Sequence, residues 1–126
     1  MQRNTAQRRT IRKVFEDAGR PLAPGEVLDA ARKQLPQLGL ATVYRTLKGL
    51  TEEGWLQPVE VPGEPQRYEL AGKDHHHHFS CRVCGGMFDF HGCPPDLDKL
   101  VPPGFVMEDH ELYLYGRCPT CAKKSG

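Results

Sequence analysis

An α+β chain is expected, with a winged helix-turn-helix in front and a small strand-rich unit behind it, and three observations predict it. Apolar residues recur at helical spacing three times before residue 54, and two short alternating apolar runs follow. All five cysteines and all six histidines then fall between His75 and Cys121. A length of 126 residues allows one ordinary domain or two small ones. Two small ones would each bury too little apolar surface to stand without a staple.

Taken in order, Ile11, Val14, Phe15 and Ala18 stand at i, i+3, i+4 and i+7, which predicts an amphipathic helix over 5–18 that Gly19 stops. Pro21 and Pro24 mark a turn. A second helix carries Val27, Leu28, Ala31 and Leu35, and Pro36 blocks its continuation. The third runs over 40–53 with Leu40, Val43, Leu47 and Leu50 on one stripe and Gly54 as its stop. Alternating runs at 55–61 and 66–70, separated by Pro62, Gly63 and Pro65, predict a hairpin. Three helices and a hairpin are the layout of a winged helix-turn-helix, whose third helix enters the major groove of DNA. Ala71, Gly72 and Lys73 connect to the second unit, giving domains over 1–70 and 71–126. Strands are expected there over 79–81, 87–90 and 105–114, with a short helix near 96–101.

Charge sharpens this division. The net charge of +1 splits into ten basic against six acidic residues over 1–57, or +4, and seven against ten over 58–126, or −3. On the face of the third helix opposite its apolar stripe stand Thr42, Arg45, Lys48 and Glu52, with Tyr44 at the edge. Arg45 can bond a guanine bidentately, Thr42 and Tyr44 can meet thymine methyls or phosphates, and Lys48 suits a phosphate. Arg8, Arg9 and Arg12 on the first helix can add backbone contacts. A solvated charged face is the alternative. No apolar run approaches the roughly 18 residues of a membrane helix. The basic first residues lack the apolar core of a secretory signal, so a cytoplasmic location is expected.

Cys81-Arg-Val-Cys84 and Cys118-Pro-Thr-Cys121 are two C-x-x-C pairs separated by 33 residues. Each pair can place two thiolates on one metal, and together they form the four-cysteine set of a closed structural zinc site. Gly85 follows directly, as a tight turn around the metal favours. An iron–sulfur cluster uses the same ligand type, and a thioredoxin-like redox pair is the rival for one motif alone. Four successive histidines, His75 to His78, lead into the first pair. If this stretch is extended, His75 and His77 point one way and His76 and His78 the other, so one tract can feed two metal sites. Cys93 is unpaired and reads first as a small buried residue, with a soft metal ligand and a redox-sensitive thiol as the other roles.

Three segments now fall into a known order: Gly39-Leu40-Ala41-Thr42-Val43-Tyr44-Arg45-Thr46-Leu47, the histidine run into Cys81-x-x-Cys84-Gly85, and His110-Glu111-Leu112-Tyr113-Leu114-Tyr115-Gly116 before Cys118-x-x-Cys121. In these the chain resembles the ferric uptake regulator (Fur) superfamily of metal-sensing bacterial repressors. The resemblance implies a winged helix, a small C-terminal α/β dimerisation domain, and a homodimer that binds palindromic operator DNA when loaded with metal, without enzymatic activity. It assigns Cys81, Cys84, Cys118 and Cys121 to structural Zn2+. It assigns Glu69, His76, His78 and Asp89 to a regulatory metal at the hinge, and His75, His77, Asp96 and His110 to a second metal site. Tyr44 and Arg45 match positions that touch DNA. One departure is Pro21, which stands where many members carry a sensing-site histidine and cannot ligate.

Oxygen ligands from Glu69 and Asp89 favour Fe2+ or Mn2+ as the regulatory metal, with Zn2+ as the alternative. A zinc uptake regulator or a peroxide-stress regulator is the alternative within the superfamily. From other classes, a small zinc hydrolase needs an open three-ligand site with a general base, which the histidines with Glu69 or Asp89 can imitate. A protein-binding zinc-ribbon adaptor explains the cysteines and leaves the histidines and the Arg45 face idle.

Overall fold

The computed structural model describes residues 5–72, 76–93 and 96–124. It divides into two compact units, one ending at residue 73 and the other beginning at residue 74.

In the first unit, α1 (Thr5–Ala18) buries Ile11 and Phe15, one turn apart. Gly19 ends the helix at φ 62°, a left-handed conformation that costs glycine little, and its N–H reaches the Phe15 carbonyl at 3.1 Å. α2 (Pro24–Ala31) starts on a proline, whose missing N–H would have no helical partner there, and Glu26 accepts the Ala23 N–H at 2.9 Å. This helix is shorter than the apolar spacing predicts. Leu35 arrives instead on loose turns after Ala31, because Pro36 disfavours helical geometry in the residue before it. α3 (Leu40–Glu52) buries Val43, Leu47 and Leu50 completely. Leu40 shares their stripe but is 43% exposed, since the first turn overshoots the core.

β1 (Leu56–Val59) and β2 (Arg67–Leu70) form the antiparallel hairpin, with Leu56 opposite Leu70 and Pro58 opposite Tyr68. On its other edge β2 meets Leu22, and the Leu22 and Tyr68 backbones exchange N–H···O bonds of 2.9 Å. The Tyr68 N–H and C=O thus face Leu22, so Pro58 opposite has no ladder bond to lose. One apolar core joins the elements: Ile11, Phe15, Leu22, Val27, Ala31, Leu38, Val43, Leu47, Leu50 and Leu56 are all buried. Trp55 closes it edge-on against Phe15, with ring centroids 6.5 Å apart.

The second unit is a three-stranded sheet ordered β4-β3-β5. β3 (His77–Cys81) is central and antiparallel to β4 (Met87–Phe90), with His77 opposite Phe90 and His78 opposite Asp89. It runs parallel to β5 (Tyr113–Gly116), with His78 opposite Tyr113. The expected helix near 96–101 is a single 3₁₀ turn, Leu97–Leu100. The strand expected over 105–114 forms only at its end, because β3 begins at His77 and offers the earlier residues no backbone to pair with. Phe105 and Val106 stay 69% and 83% exposed. A short helix, α4 (Pro119–Lys124), was not expected and carries Cys121.

Candidate metal centres and nucleic-acid interface

The β3–β4 turn and the start of α4 bring together Cys81, Cys84, Cys118 and Cys121, whose sulfurs all lie within 4.8 Å of one another. Backbone groups shape this cradle. Gly85, at φ 77°, folds its N–H onto the Cys81 carbonyl at 3.0 Å, and the N–H groups of Cys118 and Cys84 point at Cys81 Sγ from 3.3 and 3.5 Å. These donors, Cys84 first and Cys118 next, lower the Cys81 thiol from its ordinary 9.0 to about 6. Burial acts oppositely on Cys121 and raises it to about 12. A tetrahedron with zinc–sulfur bonds of ~2.3 Å has edges of about 3.8 Å. The Cys84–Cys118 sulfur separation is 3.9 Å, so the quartet fits zinc.

Two further groups lie at one end of the sheet. His78 Nε2 is 3.4 Å from Asp89 Oδ1 across the β3–β4 pair, and His76 Nε2 is 4.0 Å from the same oxygen. Edges of about 3.4 Å suit a tetrahedral ion held by nitrogen and oxygen at ~2.1 Å. All three side chains are half-buried, and Tyr113 stacks on the His78 ring with 15° between planes. Glu69, the fourth residue of the expected regulatory set, lies on β2 of the first unit and accepts a hydrogen bond from Gln57 Nε2 at 2.8 Å.

His77 faces the other way and is 1% exposed. Its Nε2 is 3.0 Å from Cys93 Sγ, and that sulfur is 3.1 Å from His110 Nε2. Of the expected second site, His77 and His110 are therefore assembled, with Cys93 between them. Asp96 is not part of this group; it sits at the N-terminal end of the 3₁₀ turn with its side chain 70% exposed, 3.4 Å from Lys99 Nζ. His75 falls outside the described residues. Cys93 corrects the expectation of a buried thiol, since it is exposed. Sequence spacing missed this trio because its members are 16 and 17 residues apart, yet one signal existed. A β4 strand paired back on the histidines carries the chain past His77 as it leaves the sheet.

On α3, Tyr44 is 52% exposed and Arg45 and Lys48 are exposed, while Thr42 is half-buried and accepts a hydrogen bond from Arg45 Nη2 at 3.0 Å. Tyr44 and Lys48 also line a groove of about 360 Å³ shared with Pro58, Gln66 and Tyr68 of the hairpin. On α1, Arg9 is exposed, Arg8 pairs with Glu53, and the Arg12 guanidinium sits 4.7 Å above the Trp55 ring. Pro21 is fully buried, so its ring fills the core. Among the described residues, no helix is long and apolar enough to cross a membrane.

Known proteins resemble this chain in sequence and fold. The family model for the Ferric uptake regulator family matches residues 2–115. The ferric uptake regulation protein of Bordetella parapertussis is 36% identical over 109 residues, 82% of this chain and 77% of that protein. A zinc-bound manganese uptake regulator superposes with a TM-score of 0.78 at 29% identity, covering 93% of this chain and 91% of that one. The ferric uptake regulator from Francisella tularensis with iron gives 0.69 at 29% identity, over 96% and 95% of the two chains. With a match over nearly its whole length, a winged helix in front and a zinc-compatible cysteine quartet behind, the chain belongs to the ferric uptake regulator family.

Proposed function

We infer that the protein is a metal-dependent DNA-binding repressor that acts in the cytoplasm as a homodimer on palindromic operators of metal homeostasis genes. The observation that carries this reading is the His76, His78 and Asp89 group, which sits just after the connector from a winged helix whose third helix exposes Tyr44, Arg45 and Lys48. In this reading Glu69, the last strand's carboxylate before that connector, would be the fourth regulatory ligand. Metal bound by both sides would restrict the connector and hold two winged helices of a dimer at the spacing of successive major grooves. Two imidazoles with two carboxylates suit Fe2+ or Mn2+. The cysteine quartet serves as a permanent zinc staple.

Operator duplexes selected from a random pool in the presence of Mn2+ provide the test. With zinc retained in the quartet, Mn2+ or anaerobic Fe2+ should raise operator affinity about 5–150-fold, the usual size of such a coupling. His76→Ala should abolish the increase while leaving zinc content and helix content unchanged. Equal affinity with and without added metal would overturn the reading.

A further inference from the structure

The resemblance gives the second metal site a carboxylate from Asp96, and the structure puts a sulfur there instead. Phe90 ends β4 opposite His77, and Gly92 at φ 110°, a backbone region that favours glycine, turns the chain so that Cys93 returns over the strand end. His110 comes in just ahead of β5 at the same end of the sheet. Three donors from three segments converge, one of them on a side chain that is 1% exposed.

We propose that Cys93, as a thiolate, joins His77 and His110 in a three-ligand site for zinc-like divalent ions, on the opposite face of β3 from His76, His78 and Asp89. The proposal takes up the second metal site of the family reading and changes its ligand and its metal class. One thiolate and two neutral imidazoles form a softer set than two imidazoles with a carboxylate, and sulfur selects Zn2+ or its probe Co2+ over Mn2+ and Fe2+. Three protein ligands leave a fourth tetrahedral position for water. The present Sγ···Nε2 distances of 3.0 and 3.1 Å are hydrogen-bond lengths. A tetrahedral ion needs edges of about 3.5 Å between sulfur and nitrogen, so the trio opens by roughly half an ångström when it is filled.

The Leu112 contact to His77 also changes on filling. The Leu112 N–H donates to His77 Nδ1 at 3.2 Å, so in this arrangement Nε2 carries the proton and donates to Cys93. When Nε2 takes the metal, the ring proton moves to Nδ1 and this long bond is given up. His110 Nε2 and the Cys93 sulfur likewise trade their 3.1 Å contact for bonds to the ion.

In protein carrying one zinc per chain in its cysteine quartet, Cys93 is the one thiol outside that quartet, and this permits a direct test. Addition of one equivalent of Co2+ should produce a near-ultraviolet thiolate-to-cobalt charge-transfer band in the wild type. Cys93→Ser should lose the band while keeping its zinc and its far-ultraviolet circular dichroism. His110→Ala, on a half-buried side chain, should weaken Co2+ binding at least about tenfold. Added Zn2+ should slow iodoacetamide labelling of Cys93, mapped by mass spectrometry, by a similar factor. A wild type without the band, a band that survives Cys93→Ser with the quartet zinc still in place, or labelling at the same rate with and without Zn2+ would each sink the proposal. No DNA enters these measurements, so their failure leaves the repressor reading standing, and failure of operator binding leaves this site standing.

Discussion

The two units are held together by different matter. The front unit has one core cluster of ten buried apolar side chains, contributed by three helices, the hairpin and the loops between them. Behind it, the cluster at the cysteine quartet is Cys81, Cys118 and Cys121 with Phe88 packed alongside. Among its described residues this small sheet has no carbon core of that size, and ligation can supply the stability, because metal-binding energy becomes folding energy wherever the unfolded chain offers no site. The contrast predicts that the two units fail separately and for different reasons.

Removing the staple should have the largest effect. Structural zinc contributes roughly 10–16 kcal/mol of apparent binding energy in small domains. Chelation, or Cys118→Ser, should therefore abolish hydrogen-exchange protection in β3 and β5 while α1 and α3 keep theirs. Loss of protection in both units at once would break the comparison. Next in size, Leu47→Ala removes a fully buried side chain from the front core and should cost that unit about 2–5 kcal/mol in denaturant unfolding, with zinc per chain unchanged. A fall in zinc content with this variant would show that the units share their stability. The smallest effect should come from Gly19→Ala. Open space surrounds an added Cβ there, so the cost is that of the left-handed backbone alone, about 1 kcal/mol, again confined to the front unit.

The same contrast explains what could be read from the sequence. Ile11, Phe15, Val43 and Leu47 announce their helices because a carbon core imposes its period on the residues that build it. β3 carries His-His-Phe-Ser-Cys, in which ligands occupy places that apolar alternation would otherwise mark, so its start at His77 follows from pairing alone. The cysteine quartet was legible because each half is a local motif. In the group around Cys93, the resemblance paired His77 with His110 but not with Cys93, since these residues meet only through the antiparallel register of β4 and the parallel register of β5. α4 had one local sign, the proline at its first position, in a segment too short to show a period.

The parallel pairing of β3 with β5 bears on how quickly the second unit assembles. Residues 82–112 lie between the two strands, so a long segment must return before the first rung can form. Closing such a loop precedes any reward from the contacts it allows, and pairings of this kind fold slowly. Cys81 and Cys84 are shaped by their own turn, whereas Cys118 and Cys121 arrive with the returning strand. This order of assembly predicts ion capture in two steps, a fast local bite followed by a slow closure. Lengthening the 96–112 stretch with polar residues would slow the second step and leave the finished contacts as they are.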